Sequence, residues 1–560
     1  MLRKIRLTLA ILFFALITLL FLDFTGSVHA LFGWMARIQF LPALLAVNVG
    51  VVLFWVLLTL LFGRVYCSVI CPLGVMQDVV AWFSKRKKKN RYSYSPAKSW
   101  LRYGVLVLFV VALIAGIGSV VALLAPYSAY GRIAQNLFAP IWACGNNILA
   151  YLAERMNSYA FYETEVWVRS LPTFIVAGAT LLILVVLAWR SGRTYCNTIC
   201  PVGTVLGLLS RVSLFRPVID LNKCNGCKLC SRRCKASCIN ADAHQIDYSR
   251  CVVCMDCIDV CRQGAISYQY RFKRSETAPA ADHETAASQA ADHADSVSAT
   301  VSTSTSASTG TTSSTCAPFV HESGAAPLSS ESNVVTCTAS GISTINPLSD
   351  TGKMRRRFLT GLGLWLGAVA VKAQEKKVDG GLAVILDKKI PERLTPIVPP
   401  GARGLHHLTA HCTGCQLCVA VCPNGVLRPS TDPMRLMQPE MSYERGYCRP
   451  ECTKCSEVCP AGAILPITPA EKSAIQIGHA VWVKENCLPV TDGVACGNCA
   501  RHCPAGAIRM VPLDSNREGS PKIPIVNEER CIGCGACEDL CPARPFSAIY
   551  VEGHKRHRMI

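Results

Sequence analysis

Cysteine spacing constrains this chain more than any other feature. Two runs, CNGCKLCSRRC at 224–234 and CVVCMDCIDVC at 251–261, read C-x2-C-x2-C-x3-C. Three closely spaced thiolates wrap one [4Fe–4S] cube from a single tight loop, and the fourth, beyond a short helix, reaches the neighbouring cube. The spacing predicts that Cys224, Cys227, Cys230 and Cys261 hold one cluster, and Cys251, Cys254, Cys257 and Cys234 the other. A zinc reading would need isolated C-x2-C pairs. One departure stands out: Cys234 is followed by Lys rather than Pro, and Cys238 in CKASC competes with it as the remote ligand.

Four related runs follow near the C-terminus. CTGCQLCVAVCP (412–423) and CIGCGACEDLCP (531–542) are regular, whereas CRPECTKCSEVCP (448–460) and CLPVTDGVACGNCARHCP (487–504) have a lengthened first interval. Pairing first with last and second with third gives four expected clusters. One is Cys412, Cys415, Cys418 with Cys541, and its partner is Cys531, Cys534, Cys537 with Cys422. The inner pair is Cys448, Cys452, Cys455 with Cys503, and Cys487, Cys496, Cys499 with Cys459. The expectation is six [4Fe–4S] clusters in all.

Composition agrees. A chain of 560 residues with 32 cysteines is too long for a small disulfide scaffold. It is 51% hydrophobic and only 17% charged, which suits a protein that is part membrane and part soluble. The formal charge of +20 does not argue for nucleic acid. Much of it lies in short runs beside apolar segments, such as KRKKKNR at 85–91, where positive charge sets membrane orientation. Six cubes on thiolates at roughly −2 each would also offset about 12 of those charges.

Apolar runs at about 7–22, 38–62, 101–125 and 167–189 read as four transmembrane helices. The loop 63–100 is rich in Lys and Arg (Arg64, Lys85, Arg86, Lys87, Lys88, Lys89, Arg91, Lys98), while the loops 23–37 and 126–166 hold few. Both ends of the unit are therefore expected in the cytoplasm. The second and fourth runs are each followed by one frame: GRVYCSVICPLG at 63–74 and GRTYCNTICPVG at 192–203. If each copy is helical, cysteines four apart share a face, so Cys67, Cys71, Cys196 and Cys200 can meet. Three readings stay open for them: a cluster or metal site, a dithiol–disulfide pair, or small residues packing two helices.

The resulting layout is a membrane domain at 1–215, a two-cluster ferredoxin domain at 216–270 and a Ser/Thr/Ala-rich linker at 271–350 without periodicity. Cys316 and Cys337 in the linker read as incidental. Within a signal/anchor segment at 351–375, MRRRFLTGLGLWLGAVAVKAQ (354–374) has the paired arginines, short apolar run and small residues of a twin-arginine export signal. A four-cluster polyferredoxin domain fills 376–560. The fold class is mixed: a four-helix transmembrane unit plus ferredoxin-like α+β [4Fe–4S] domains joined by a disordered linker.

Helices, GR-x-Y-C-x3-C-P repeats and a two-cluster domain together resemble the NapH-type membrane subunit of the quinol dehydrogenase that serves periplasmic nitrate reductase. The arginine-signal segment with four clusters resembles the NapG/MauM-type polyferredoxin. The chain thus resembles a fusion of the two, with a linker that neither has. The resemblance implies an electron-transfer subunit of a quinol dehydrogenase, not a stand-alone enzyme. It also implies a bacterial inner-membrane location, with 216–270 cytoplasmic and 376–560 periplasmic. The implied partners are membrane lipid, the quinone pool and a periplasmic reductase or small electron carrier, with no nucleic acid. The competing class is a membrane-anchored redox sensor or reductase-maturation protein; four exported clusters in a row favour transfer, since a sensor needs one.

Quinol oxidation releases protons, and Asp23, His29, Glu154, Glu163 and Glu165 are acceptors within the outer segments, each also readable as a solvated loop residue. Trp34 and Gln39 are candidates to line a ring pocket, and His406, His407, His411 and His502 sit among the cluster motifs.

Overall fold

The computed structural model describes residues 2–23, 26–87, 92–158, 160–164, 166–272 and 386–560. Glu165, the linker with Cys316 and Cys337, and the arginine-signal segment lie outside the described residues.

Two helices, Leu2–Leu22 and Leu171–Ser191, are long and apolar enough to cross a membrane. At ~1.5 Å per residue each measures about 31 Å, close to a bilayer's hydrocarbon thickness. Large apolar side chains on both, among them Ile11, Leu12, Leu182 and Ile183, stay exposed. The other two apolar runs, expected as unbroken spans, are each interrupted. The first is Phe40–Leu45 followed by Val49–Phe62, and the second is Ser99–Ile114 followed by Gly118–Leu124. Each break holds a left-handed residue, Val47 at φ 54° and Gly116 at φ 71°. Such a residue ends a helix, and Asn48 then caps the next one by accepting from Val51 N–H. Hydropathy registers neither event.

After Gly118–Leu124 the chain runs through Pro126–Ile133 into a π-helical turn, Ala134–Phe138, and on into Ala139–Arg155. Pro126–Ile133 is wholly buried and carries Tyr127, Tyr130 and Arg132.

The cysteine-rich parts are α+β, with short helices and two-stranded antiparallel sheets. Phe215–Ile219 pairs with Ile266–Tyr270, placing Phe215 opposite Tyr270 and Ile219 opposite Ile266. Towards the C-terminus the main pair is Ile475–Trp482 with Ile549–Met559, with Ile549 opposite Trp482.

The two cysteine-rich parts, named the two-cluster and four-cluster parts for the clusters their cysteine runs are expected to hold, meet opposite ends of the first helix. At its start, Arg3 pairs with Asp256 and Asp259 of the two-cluster part. At its other end lies the four-cluster part, on the segments expected outside the cytoplasm. There Asn136 donates to Gln416 Oε1 at 2.9 Å, Arg37 donates to the Glu457 carbonyl at 2.5 Å, and Arg169 donates to the Val419 carbonyl. Arg428 and Arg445 cover the Trp167 ring. One continuous apolar core joins these layers, running from Val252 and Cys254 through Tyr66, Tyr195 and the repeat cysteines to Tyr127, Cys415 and Leu417.

Candidate metal centres

The regular cysteine runs fold alike. Just after the second cysteine, Lys228, Met255, Gln416 and Gly535 take φ values of 58°, 61°, 64° and 80°. The left-handed residue turns the chain back on itself and opens a short helix: Leu229–Arg233, Asp256–Val260, Leu417–Val421 and Ala536–Asp539 respectively. The three near cysteines thereby wrap one centre, and the fourth leaves at the end of the helix. In the lengthened runs the matching residues, Thr453 and Gly497, have negative φ. The longer first interval supplies the turn there.

Within the two-cluster part, Cys224, Cys227, Cys230 and Cys261 line one apolar cavity. A second is lined by Cys251, Cys254 and Cys257 together with both Cys234 and Cys238. Cys234 and Cys238 sulfurs lie 3.5 Å apart. A hydrogen bond from Cys238 draws the Cys234 thiol down to about 7. Cys238 lowers the Cys251 thiol in the same way, so both Cys234 and Cys238 remain at this centre.

In the four-cluster part the structure corrects the pairing. Cys422 shares a cavity with Cys448, Cys452 and Cys455, and Cys541 shares one with Cys487, Cys496 and Cys499. Cys459 faces Cys412, Cys415 and Cys418, and Cys503 faces Cys531, Cys534 and Cys537. First therefore pairs with second and third with fourth, so the expected sets with Cys541, Cys422, Cys503 and Cys459 exchange partners. The reason is reach: each fourth cysteine sits at the end of a one-turn helix and meets the run packed against that helix. Backbone N–H groups of Ile464, Ala507 and Ala548 point at the sulfurs of Cys459, Cys503 and Cys541.

These donor sets fit iron–sulfur cubes: four thiols around an apolar hollow with amide donors to sulfur. Burial pushes the Cys254, Cys415 and Cys534 thiols up to about 12. Such pockets resist bare thiolates and favour charge shared with a metal. Among the described residues no group of His, Cys, Asp or Glu is gathered tightly enough to hold a single metal ion.

The two GR-x-Y-C-x3-C-P-x-G frames form a reciprocal clasp. Each folds as a short helix, Val65–Val69 or Thr194–Thr198, then a Pro-initiated helix, Pro72–Lys87 or Pro201–Ser210. The copies match bond for bond: Cys71 N–H donates to the Tyr66 carbonyl and Cys200 N–H to the Tyr195 carbonyl, both at 3.0 Å. Arg64 of the first copy donates to the Cys196 carbonyl, and Arg193 of the second donates to the Cys67 carbonyl. Gly74 and Gly203 make room for this, since a Cβ on either would sit 2.4 Å from those same carbonyl oxygens.

All four thiols are buried, and they interact with one another across the two copies. Donors surround them: Gln77 Nε2 lies 3.3 Å from Cys196 Sγ, Gly203 N–H 3.3 Å from Cys200 Sγ, and Arg64 Nη2 3.8 Å from Cys67 Sγ. Cys71 and Cys200 also sit where two helices begin, the positive end of the helix dipole. Arg64 is fully buried, and its bonds go to Asn197, to the carbonyls of Cys196 and Ser249, and to Cys67 Sγ, none of them a carboxylate. Arg193 shares Asp78 with Arg6 and Lys235. Arg64, counted above among the exposed topology charges, is thus structural.

The remaining candidates divide. Asp23 is buried at the end of the first helix and accepts from the N–H groups of Gly26, Val28 and His29, and its Oδ2 lies 3.1 Å from His29 Nδ1. Glu154 and Glu163 are exposed. Trp34 is half exposed. Gln39 is wholly buried and accepts from the Tyr66 hydroxyl at 2.9 Å. His407 and His411 stack on each other at 4.3 Å, while His406 and His502 are exposed. Sequence reasoning missed Gln77, Asp78 and Asn197; the repeated frame around the cysteines, with Arg and Tyr in both copies, was the available signal for the clasp.

Families described as 4Fe-4S binding domains match residues 44–91 and 173–221, which contain the two clasp frames, and residues 244–267. A 4Fe-4S dicluster domain matches 411–463 and 494–544, the same grouping of runs that the structure shows. The methylamine utilization ferredoxin-type protein MauM of Methylophilus methylotrophus is 34% identical over 163 residues, covering 28% of this chain and 71% of that protein. The chain belongs to the NapH/MauM-type polyferredoxins. This polyferredoxin is also 28% identical over 234 residues to the ferredoxin-type protein NapH of Haemophilus influenzae, covering 40% of the chain and 68% of the relative. With the ferredoxin-type protein NapF of Escherichia coli K12 it shares 28% identity over 179 residues, which is 32% of the chain and 99% of NapF. No solved structure matches the polyferredoxin. Its [4Fe–4S] domains and these relatives establish iron–sulfur electron transfer as its chemistry.

Proposed function

We propose that this polyferredoxin is a multi-pass inner-membrane protein that takes electrons from membrane quinol and delivers them to a periplasmic reductase of the nitrate-reductase type. Electrons travel through [4Fe–4S] clusters, six of which are held by the cysteine sets above. The observation that carries this reading is the continuous apolar core linking Cys254 at one end of the helices to Cys415 at the other. In this reading four apolar segments, two of them interrupted, separate a cytoplasmic two-cluster part from a four-cluster part outside. The latter's seat on the Lys- and Arg-poor segments supports that placement.

The four clasp thiols hold a further cluster in this reading. Electron tunnelling falls exponentially with distance, and the helix between the two cluster layers is about 31 Å long. A relay inside the core shortens each hop. Two helix N-termini and the carboxylate-free Arg64 suit an anionic centre. Replacing Cys67, Cys71, Cys196 and Cys200 together with serine lowers bound iron by about four atoms per chain if they hold a cube; unchanged iron refutes the relay.

The quinol reading is tested by electron paramagnetic resonance. Membranes containing the protein are mixed with a quinol analogue and cluster reduction is followed. Reduction by dithionite with none by quinol refutes it and favours a redox-sensing or maturation role.

A further inference from the structure

A cleft of about 800 Å³, its open mouth included, lies where the first helix ends. Its walls come from Asp23, from the π-helical turn carrying Gln135, from Trp142, and from Trp167 and Arg169 ahead of the second long helix; Ala420 of the four-cluster part closes it. Three observations point to a ligand. Gln135 Oε1 is buried with no hydrogen-bond partner among the described residues, a costly state unless something donates to it. The turn Ala134–Phe138 is π-helical, a rare form frequent at functional sites. The rim residues Trp142, Val166 and Val168 are exposed apolar side chains, so the mouth opens on an apolar surface.

Ala420 lies between Cys418 and Cys422, which belong to two adjacent cluster sets. A ligand in the cleft is therefore beside the first electron acceptors of the four-cluster part. Asp23, also in the lining, is paired with His29 behind it, whose Nε2 is buried with no partner among the described residues. A small ring, mostly apolar, with a hydroxyl to donate, next to an electron acceptor and a proton acceptor, is a quinol.

We infer that this cleft binds the head ring of a membrane quinol, with its hydroxyl donating to Gln135 Oε1, and that oxidation occurs here on the four-cluster side. This rests on the quinol reading above. One quinol becomes one quinone. Its two electrons leave singly to two oxidised [4Fe–4S] clusters, and its two protons leave in turn to the Asp23–His29 pair and then to solvent.

The test uses detergent-solubilised full-length protein with its clusters, menadiol as reductant and an azidoquinone as photolabel. Cluster bleaching is followed by absorbance for the native chain, Gln135→Leu and Gln135→Glu. The expected result is at least a tenfold rise in half-saturating menadiol for Gln135→Leu. Gln135→Glu, which keeps an acceptor oxygen, stays within a few-fold of native. Dithionite-reducible cluster content is unchanged in both, and the label falls within 135–142 or 164–169. Native bleaching with an unaltered Gln135→Leu response and label elsewhere overturns the cleft and leaves the quinol reading standing. Absence of bleaching in the native chain overturns both. Loss of clusters in Gln135→Leu shifts the decision to the label, which overturns the cleft if it maps outside those segments.

Discussion

Replacing Asp78 by asparagine removes the single carboxylate that joins three parts of the molecule. Its oxygens lie 2.5 Å from Arg6 on the first helix, 2.8 Å from Arg193 of the clasp and 3.4 Å from Lys235 of the two-cluster part. All four side chains are at most 10% exposed. At an effective dielectric of 20, each attraction amounts to about 5–7 kcal/mol. Dehydrating four charges offsets most of that, so the intact site contributes far less than its Coulomb energy. Deleting the anion is different, because the buried Arg6 and Arg193 are left without a carboxylate, whereas Lys235 keeps Asp256 at 2.9 Å. Burial alone would raise the Asp78 carboxyl, but Arg193, Lys235 and Arg6 hold it well below the usual range. The expected loss is about 3–5 kcal/mol, the cost of an uncompensated buried charge, or roughly 10²–10⁴ in the folding equilibrium. Urea unfolding of the solubilised protein, followed by cluster absorbance, measures it. Adding Arg193→Leu to the variant should recover part of the loss, since one stranded cation goes with it. A loss below about 1 kcal/mol, or no recovery in the double variant, refutes the hub.

Cluster pairing is checked by counting iron: Cys412→Ser with Cys459→Ser should cost one cube, about four irons, whereas Cys412→Ser with Cys541→Ser should cost two. Tyr66→Phe strands Gln39 Oε1 and the Phe40 N–H, which both bond the tyrosine hydroxyl, and should destabilise by about 1–3 kcal/mol in the same urea assay. Burial, with His554 nearby, pushes the His557 imidazole down to about 4. The unfolded state therefore takes up the extra proton first, so His557 favours folding fully above pH ~6.5 and progressively less as pH falls towards 4. Unfolding midpoints measured from pH 7.5 to 4.5 should fall less steeply for His557→Gln.

Much of the chemistry was legible in the sequence, because three thiols on one tight loop are a local property. That is why spacing alone groups Cys224, Cys227 and Cys230, which line one cavity in the structure. The partner of each fourth cysteine depends on which run packs beside its helix, so Cys459 and Cys541 were exchanged. Hydropathy gave the apolar runs but not their breaks, since Val47 is as apolar in a left-handed turn as in a helix. Arg64 and Arg193 look like topology charges in a list. Only their placement across the two copies, each on the other's cysteine carbonyl, shows them to be interior. The cleft was invisible, for it is assembled from segments as distant as Asp23, Gln135 and Ala420.

The clasp has a consequence for biosynthesis. Arg193 completes the first cysteine frame and Arg64 the second. A ribosome that has made residues 63–74 has therefore made half of a site, open and unable to close. A cluster on the four thiols, as proposed above, would be inserted only after the second frame has emerged and entered the same assembly. Truncated chains ending between the two frames cannot retain it.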